Sequence, residues 1–529
     1  MKRPISIKPN RNAMAWECLQ FIELLFCAAL AVLFVRPAAG ADLSPLLNVA
    51  QFKGSHNSYE RLEPIQDQLG FHQIRQLEFD LRYVNDDWVV YHDDGAADTL
   101  CYFLGGCLDE VKIWSNENPG HQPVFIWLDL KDQGWQTGGM ESLDEIITAH
   151  LSEERLLTPD QLRQWYPDHQ TAVGKSRWPA LEVLRDHFIV VLTGNAAMNE
   201  AYAEDARPPL LGRPAFVSYE QTSPHWDFDD PLDRVSVPYH VIFNVNLAPP
   251  IPPWKWEFIS RAHRRGYLTR AYNLAHNFSD WLALMRQGLN IFSSDWVNAS
   301  KYPYAVVGDP LSCDPAGPLC DPSALSEPRR HILSATVKSG DIEWRTDSFY
   351  FAYNSEPAAD QPLTFTVGVT HPNSFVEPSA KACLMARADL SASSPFFAVC
   401  RQGGKPPGVF YRLDSDTPSH KPRLHWEALV RPNGVRPENA RFLKLWLSAD
   451  RYTAAAYASY DRRNWLMLFQ KAFNHPLVWV GPTISARDPQ ARFSAWFVHY
   501  ARNEKPVTQF TGQSCIGPVC WEGKIKAMK

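Results

Sequence analysis

Between residues 48 and 298, short apolar runs alternate with stretches of helical period, the pattern of buried parallel strands joined by crossover helices. These runs predict eight strands: Asn48–Phe52, Gln76–Leu81, Val124–Leu130, Phe188–Leu192, Ala215–Val217, Val241–Asn244, Tyr267–Arg270 and Ile291–Ser293, with Val89–Tyr91 as an extra one. Eight strands over about 250 residues predict an α/β fold, a closed (β/α)8 TIM-like barrel. From Tyr302 to Ser326, prolines, glycines and the Cys313/Cys320 pair interrupt any period and mark a stapled linker. Beyond it the rhythm becomes alternation broken by turns. Phe442–Leu447, Tyr452–Tyr457 and Trp465–Phe469 form an antiparallel meander, and with Ala382–Ala386, Phe396–Cys400 and Leu477–Val480 they predict an all-β jelly-roll sandwich.

The N-terminus adds a different signal. Lys2, Arg3, Lys8 and Arg11 precede the apolar run Leu24–Val35, and small residues end at Ala39-Gly40-Ala41. The run is shorter than the roughly 20 residues of a membrane span, so it reads as a cleaved signal peptide and the protein as secreted or periplasmic. The expected organisation is a signal peptide at 1–41, a catalytic barrel at 42–301, a disulfide-stapled linker at 302–326, a β-sandwich accessory domain at 327–510 and a tail at 511–529. Eight of the ten cysteines lie beyond the signal as the neighbours 101/107, 313/320, 383/400 and 515/520, which suits four local disulfides in an exported chain. Structural zinc is disfavoured, because these pairs lack tight CxxC spacing.

Composition narrows the function. The 529 residues are 45% hydrophobic and 21% charged, a globular balance. With the first 41 residues set aside, 47 basic against 56 acidic residues leave a net charge of −9, which argues against a nucleic-acid partner.

Candidate chemistry gathers at the ends of the first three strands. Lys53-Gly54-Ser55-His56-Asn57-Ser58-Tyr59 occupies the first strand-to-helix loop, the catalytic end of such barrels. In Gln76-Leu77-Glu78-Phe79-Asp80-Leu81, a period of two sets Glu78 and Asp80 on one face. Two carboxylates side by side inside a barrel repel each other, so a cation between them is expected. Tyr91-His92-Asp93-Asp94 follows, and the third strand supplies Asp129 and then Lys131. Asn57, Glu78, Asp80 and Asp129 form an all-oxygen set suited to a hard divalent ion such as calcium or magnesium. His56 and His92 remain free to move protons, and cation plus two histidines would meet the demands of phosphodiester cleavage.

The ordered runs GSHNSY, LEFDL, VVYHDD and WLDLKD resemble the phosphatidylinositol-specific phospholipase C superfamily, in particular its calcium-dependent branch. The resemblance covers the barrel, about half the chain. It implies cleavage of a phosphatidylinositol-type lipid by attack of the inositol 2-hydroxyl, giving diacylglycerol and a cyclic inositol phosphate. His56 would then stabilise the pentavalent phosphate and His92 would be the general acid on the glycerol oxygen. Asn57, Glu78, Asp80 and Asp129 would hold calcium, with Glu78 taking the hydroxyl proton. Arg270-Ala271-Tyr272 is similar to the family's Arg-x-Tyr at the inositol ring, and Lys131 is placed to meet phosphate or ring hydroxyls. The chain departs from the pattern at Asp129, where many members carry Glu, a reach shorter by one methylene. Asp295, after the eighth strand, stays open between a rim residue of the site and a loop cap.

Two other readings compete. A glycerophosphodiester phosphodiesterase shares the Glu-x-Asp strand but has His followed by Arg, where this chain has His56-Asn57. A secreted, non-catalytic glycan-binding protein would place the function in the sandwich, which resembles concanavalin-like, laminin-G-type jelly rolls. Membrane contact would fall to rim loops such as Leu247–Trp254.

Overall fold

The computed structural model describes residues 44–529 except 62, 94–98, 132–138, 176–177, 275–277, 298–310, 314–331, 343–346, 371–378, 416, 488–491, 518–520 and 528–529. The expected signal peptide and the Cys320 end of the linker pair lie outside the described residues. Ser44–Lys529 forms one compact unit.

The first half is the barrel. Its strands are β1 (Ala50–Ser55), β2 (Gln76–Val84), β3 (Asp87–Val90), β4 (Val124–Leu130), β5 (Phe188–Gly194), β6 (Ala215–Val217), β7 (Tyr219–Glu220), β8 (Ile242–Asn246), β9 (Leu268–Tyr272) and β10 (Ile291–Ser294). The parallel order is β6-β5-β4-β2-β1-β10-β9-β8-β7. β6 and β7 are two pieces of one run of chain broken at Ser218. The first pairs with β5 and the second with β8, so the chain itself closes the circuit. The extra strand expected near Val89 is β3, an antiparallel hairpin partner of β2. Within the expected linker, Leu311–Cys313 adds to the barrel as an antiparallel neighbour of β1.

Alternation sorts the side chains of each strand between two environments. Leu77, Phe79 and Leu81 of β2, with Ile126 and Leu128 of β4, pack with Val111 and Trp114 of the helix Leu104–Glu117. Phe125 and Trp127 of β4 belong instead to a second cluster with Phe52, Val191 and Phe243. Glu78, Asp80 and Asp129 alternate with the first set, so the apolar filling gives way to charge at the C-terminal ends of the strands.

The second half is a sandwich of two antiparallel sheets, one of eight strands and one of six, with Leu333, Phe365, Val399, Leu445, Val480 and Phe497 in the core between them. Residues 511–529, expected as a tail, are corrected by the structure. Gly512–Ile516 pairs with Phe349–Tyr353 in one sheet, and Trp521–Ala527 pairs with Leu333–Lys338 in the other. Both partners lie more than 150 residues upstream, and so local pattern could not reveal the pairing. Disulfides join Cys101 to Cys107 and Cys383 to Cys400, as expected. Cys515 is also disulfide-bonded, while its expected partner Cys520 is outside the described residues.

The sandwich packs on the barrel through polar pairs as well as apolar ones. Phe71 meets Trp496 at 4.3 Å between ring centroids. Asp67 faces Arg401 at 3.2 Å, Glu117 faces Arg462 at 3.0 Å, and the buried Glu110 accepts hydrogen bonds from Tyr460 and Asn439.

Candidate active site

The first loop turns sharply at Asn57, whose φ of 45° is left-handed, a conformation that asparagine tolerates better than most residues. The turn is welded to β2 from both sides. Ser58 Oγ accepts from the Glu78 N–H at 2.9 Å, and the Asn57 N–H donates to Glu78 Oε2 at 3.1 Å. Preceding the turn, the His56 N–H donates to the Ser294 carbonyl at the end of β10. The imidazole is held in turn: Nδ1 lies 3.0 Å from Asp295 Oδ1, and Nε2 lies 3.8 Å from Glu78 Oε2. Burial works against the imidazolium, but Glu78 and Asp295 outweigh it and raise the His56 pKa above its ordinary value. Arg61 braces the arrangement, reaching the Asn57 carbonyl through Nε and the Asp295 carbonyl through Nη1.

Glu78 is buried at 2% exposure against a buried guanidinium, with Arg270 Nη2 2.6 Å from its Oε2. Burial favours the neutral acid, yet Arg270 and His56 hold its pKa below the usual carboxylate range. Arg270 is itself immobilised by Asn244 and Ser293 and by the faces of Trp127 and Tyr272. The guanidinium of Arg270, which the resemblance sets at an inositol ring, is fully buried and pairs with Glu78. Tyr272 does line the mouth, its ring 5.5 Å from that of His56 and its hydroxyl bonded to Glu220.

Asp80 sits opposite Asp129 in the β2/β4 register. Burial and the nearby charges of Asp129 and Glu78 push its pKa up to about 7. An ammonium bridges Asp80 and Asp129 where a divalent ion is expected from the sequence. Lys131 Nζ lies 2.8 Å from Asp129 Oδ2 and 3.0 Å from Asp80 Oδ2, and these two carboxylates raise its pKa in spite of burial. His92 reaches the same group from outside β2, with Nε2 3.8 Å from Asp80 Oδ2 and Nδ1 3.3 Å from Asp93.

The three carboxylates also pass a test for a divalent ion. Ligand oxygens of Glu78, Asp80 and Asp129 lie within 4.8 Å of one another. Asp129 Oδ1 is buried without a hydrogen-bond partner, the condition of an oxygen that suits a hard cation. Asn57 borders the same cavity, which measures about 640 Å³ and is lined by His56, Glu78, His92, Asp129, Lys131 and Tyr272 among others. All nine residues singled out in the sequence thus converge on this mouth, with Asp80 and Arg270 forming its floor. Sequence reasoning missed Arg61, Asn244 and Glu220. Only for Asp295 was there a signal, its place just after the eighth strand.

Fold and site together define a barrel whose C-terminal mouth carries two histidines over a buried, partly compensated carboxylate cluster. A family model described as phosphoinositide phospholipase C, Ca2+-dependent, matches residues 88–234. That span includes His92, Asp129 and Lys131, while the His56 and Glu78 motifs precede it. Among solved structures, the chain is similar to a calcium-dependent phosphoinositol-specific phospholipase C from a Gram-negative Pseudomonas sp., at 20% identity and a TM-score of 0.43 over 52% of this chain and 97% of that one. It is also similar to a Ca2+-dependent phosphatidylinositol-specific phospholipase C from Streptomyces antibioticus, at 18% identity and a TM-score of 0.42 over 49% and 97%. A glycerophosphodiester phosphodiesterase from Thermotoga maritima aligns at 11% identity and a TM-score of 0.28 over 47% and 95%. No curated protein matches the chain.

Proposed function

We propose that the protein is an exported, calcium-assisted phosphodiesterase of the phospholipase C type, acting on a phosphatidylinositol-type lipid. One observation carries the reading: His56 and His92 arrive from separate strands, each with Nε2 3.8 Å from a different member of one carboxylate cluster, and both line one cavity. This provides an acid and a base side for in-line displacement at phosphorus.

In this reading Glu78 takes the proton of the inositol 2-hydroxyl. Arg270 and the Asn57 N–H keep it ionised, the state a base requires. The hydroxyl oxygen bonds to phosphorus, the phosphorus–glycerol oxygen bond breaks, and His92 gives its proton to the departing alkoxide. The products are diacylglycerol and a cyclic inositol phosphate. His56, oriented by Asp295 and raised in pKa, donates to the developing charge on the non-bridging oxygens. Calcium, held by Glu78, Asp80, Asp129 and Asn57, would supply charge neutralisation and lower the pKa of the attacking hydroxyl. The loop after β8 exposes Ala248, Pro249 and Pro250 beside this mouth, where a lipid surface would meet it. The sandwich, residues 327–510 with its last strands, would be the accessory domain that meets glycans or membrane.

Incubation with phosphatidylinositol, with and without a calcium chelator, followed by phosphorus NMR, tests the reading. A five-membered cyclic phosphate that disappears with chelator is expected, and His92→Ala should lower kcat about 10²- to 10⁴-fold with unchanged melting. Release of glycerol 3-phosphate from deacylated lipid in place of the cyclic product would assign the site to a glycerophosphodiesterase. Turnover unaffected by His92→Ala would remove the acid from the mechanism.

A further inference from the structure

Two cations compensate the carboxylate cluster, and they differ in kind. Arg270 is 0% exposed and held by Glu78, Asn244, Ser293 and two aromatic faces. Lys131 follows the last residue of β4, and its backbone N–H donates to the Leu81 carbonyl at 3.0 Å. Its side chain is 27% exposed, lines the cavity and folds back so that one ammonium bridges Asp80 and Asp129. Those aspartates are two of the three groups whose oxygens lie close enough to share a metal ion. The lysine uses one oxygen of each and leaves Asp129 Oδ1 buried without a hydrogen-bond partner.

We propose that Lys131 is a tethered competitor for the divalent ion: its ammonium bridges the aspartate pair when the ion is absent and swings into the cavity when the ion binds. The proposal rests on the calcium reading above and adds a residue that sets the affinity. Charge supports it. With all three carboxylates ionised, Arg270 and Lys131 leave a sum of −1, whereas exchange of the ammonium for a divalent ion brings that sum to zero. The displaced ammonium has somewhere to go, because the four-carbon stem pivots at the rim of a cavity that its own side chain lines. Arg270 has no such exit and stays.

The test is direct metal binding, followed by calorimetry with calcium and by terbium luminescence sensitised through Trp127, whose ring lies under Arg270. Lys131→Met keeps the stem and removes the charge, and it should tighten calcium binding by about tenfold or more. Lys131→Arg, which keeps the charge, should not. Asp80→Asn placed in the Lys131→Met background should abolish the gain. A second measurement uses the unmodified chain: reductive methylation mapped by mass spectrometry should label Lys131 faster when calcium is added, while other lysines keep their rates. Equal calcium affinity in the unmodified chain and Lys131→Met, with labelling of Lys131 insensitive to calcium, would refute the competition and leave the calcium reading standing. Absence of calcium and terbium binding in every variant would overturn both.

Discussion

At the scale of single residues, the site is a problem of buried charge. A carboxylate as enclosed as Glu78 is stable only beside a cation, and Arg270 is that cation. Arg270→Met should therefore destabilise the protein by about 3–5 kcal/mol in denaturant melts, with Glu78→Gln restoring much of the loss in the double variant. A loss below about 1 kcal/mol would mean that Glu78 is not held as an ion. Glu78, Asp80, Asp129 and the two histidines were legible as candidates because alternation and strand-end position are local properties. The partner of Glu78 was not. Arg270 lies 192 residues downstream, and nothing local in the sequence links it to Glu78.

Among the elements, the end of β5 governs the floor of the site. Gly194 has φ +86°, and a Cβ there would come within 2.1 Å of Asp129 Oδ1 and 2.6 Å of the Leu130 carbonyl. Gly194→Ala should cost at least about 1–2 kcal/mol from backbone strain alone. It should also displace the Asp129 carboxylate and so weaken calcium binding. Unchanged calcium affinity in a folded Gly194→Ala protein would show that Asp129 does not hold the ion. The eight main strands were legible because each is a continuous apolar run bounded by polar residues. The final strands at Gly512–Ile516 and Trp521–Ala527 were not, since their partners are remote and glycine and cysteine interrupt the pattern.

The whole molecule depends on how the sandwich meets the barrel, and Glu110 reports on that contact. Its carboxyl is fully enclosed between the helix Leu104–Glu117 and the sandwich, where burial, only partly offset by the hydrogen bonds from Tyr460 and Asn439, pushes its pKa up to about 7. A carboxyl raised from 4.5 to about 7 on folding is bound to its proton in the native state and not in the unfolded one across that interval. Stability is then fully present below pH 4.5 and is lost as pH rises through 7, by on the order of 3 kcal/mol. Glu110→Gln should lack this loss. The difference in melting temperature between the two proteins should shift in favour of the variant between pH 4.5 and 7.5, and a difference constant with pH would mean that Glu110 is ionised in the native state.

The sequence by itself determined the succession of the barrel strands, the place where a sandwich follows, and which side chains sit at the C-terminal strand ends. These are consequences of periodicity and turn chemistry, which act between near neighbours. Tertiary structure alone decided what compensates each buried charge: Arg270 under Glu78, Lys131 across Asp80 and Asp129, Asp295 behind His56, Tyr460 on Glu110. The physical reason is the range of the interaction. A strand's period is written in a few consecutive residues, whereas the energy of a buried charge depends on whichever distant segment folding brings within about 4 Å.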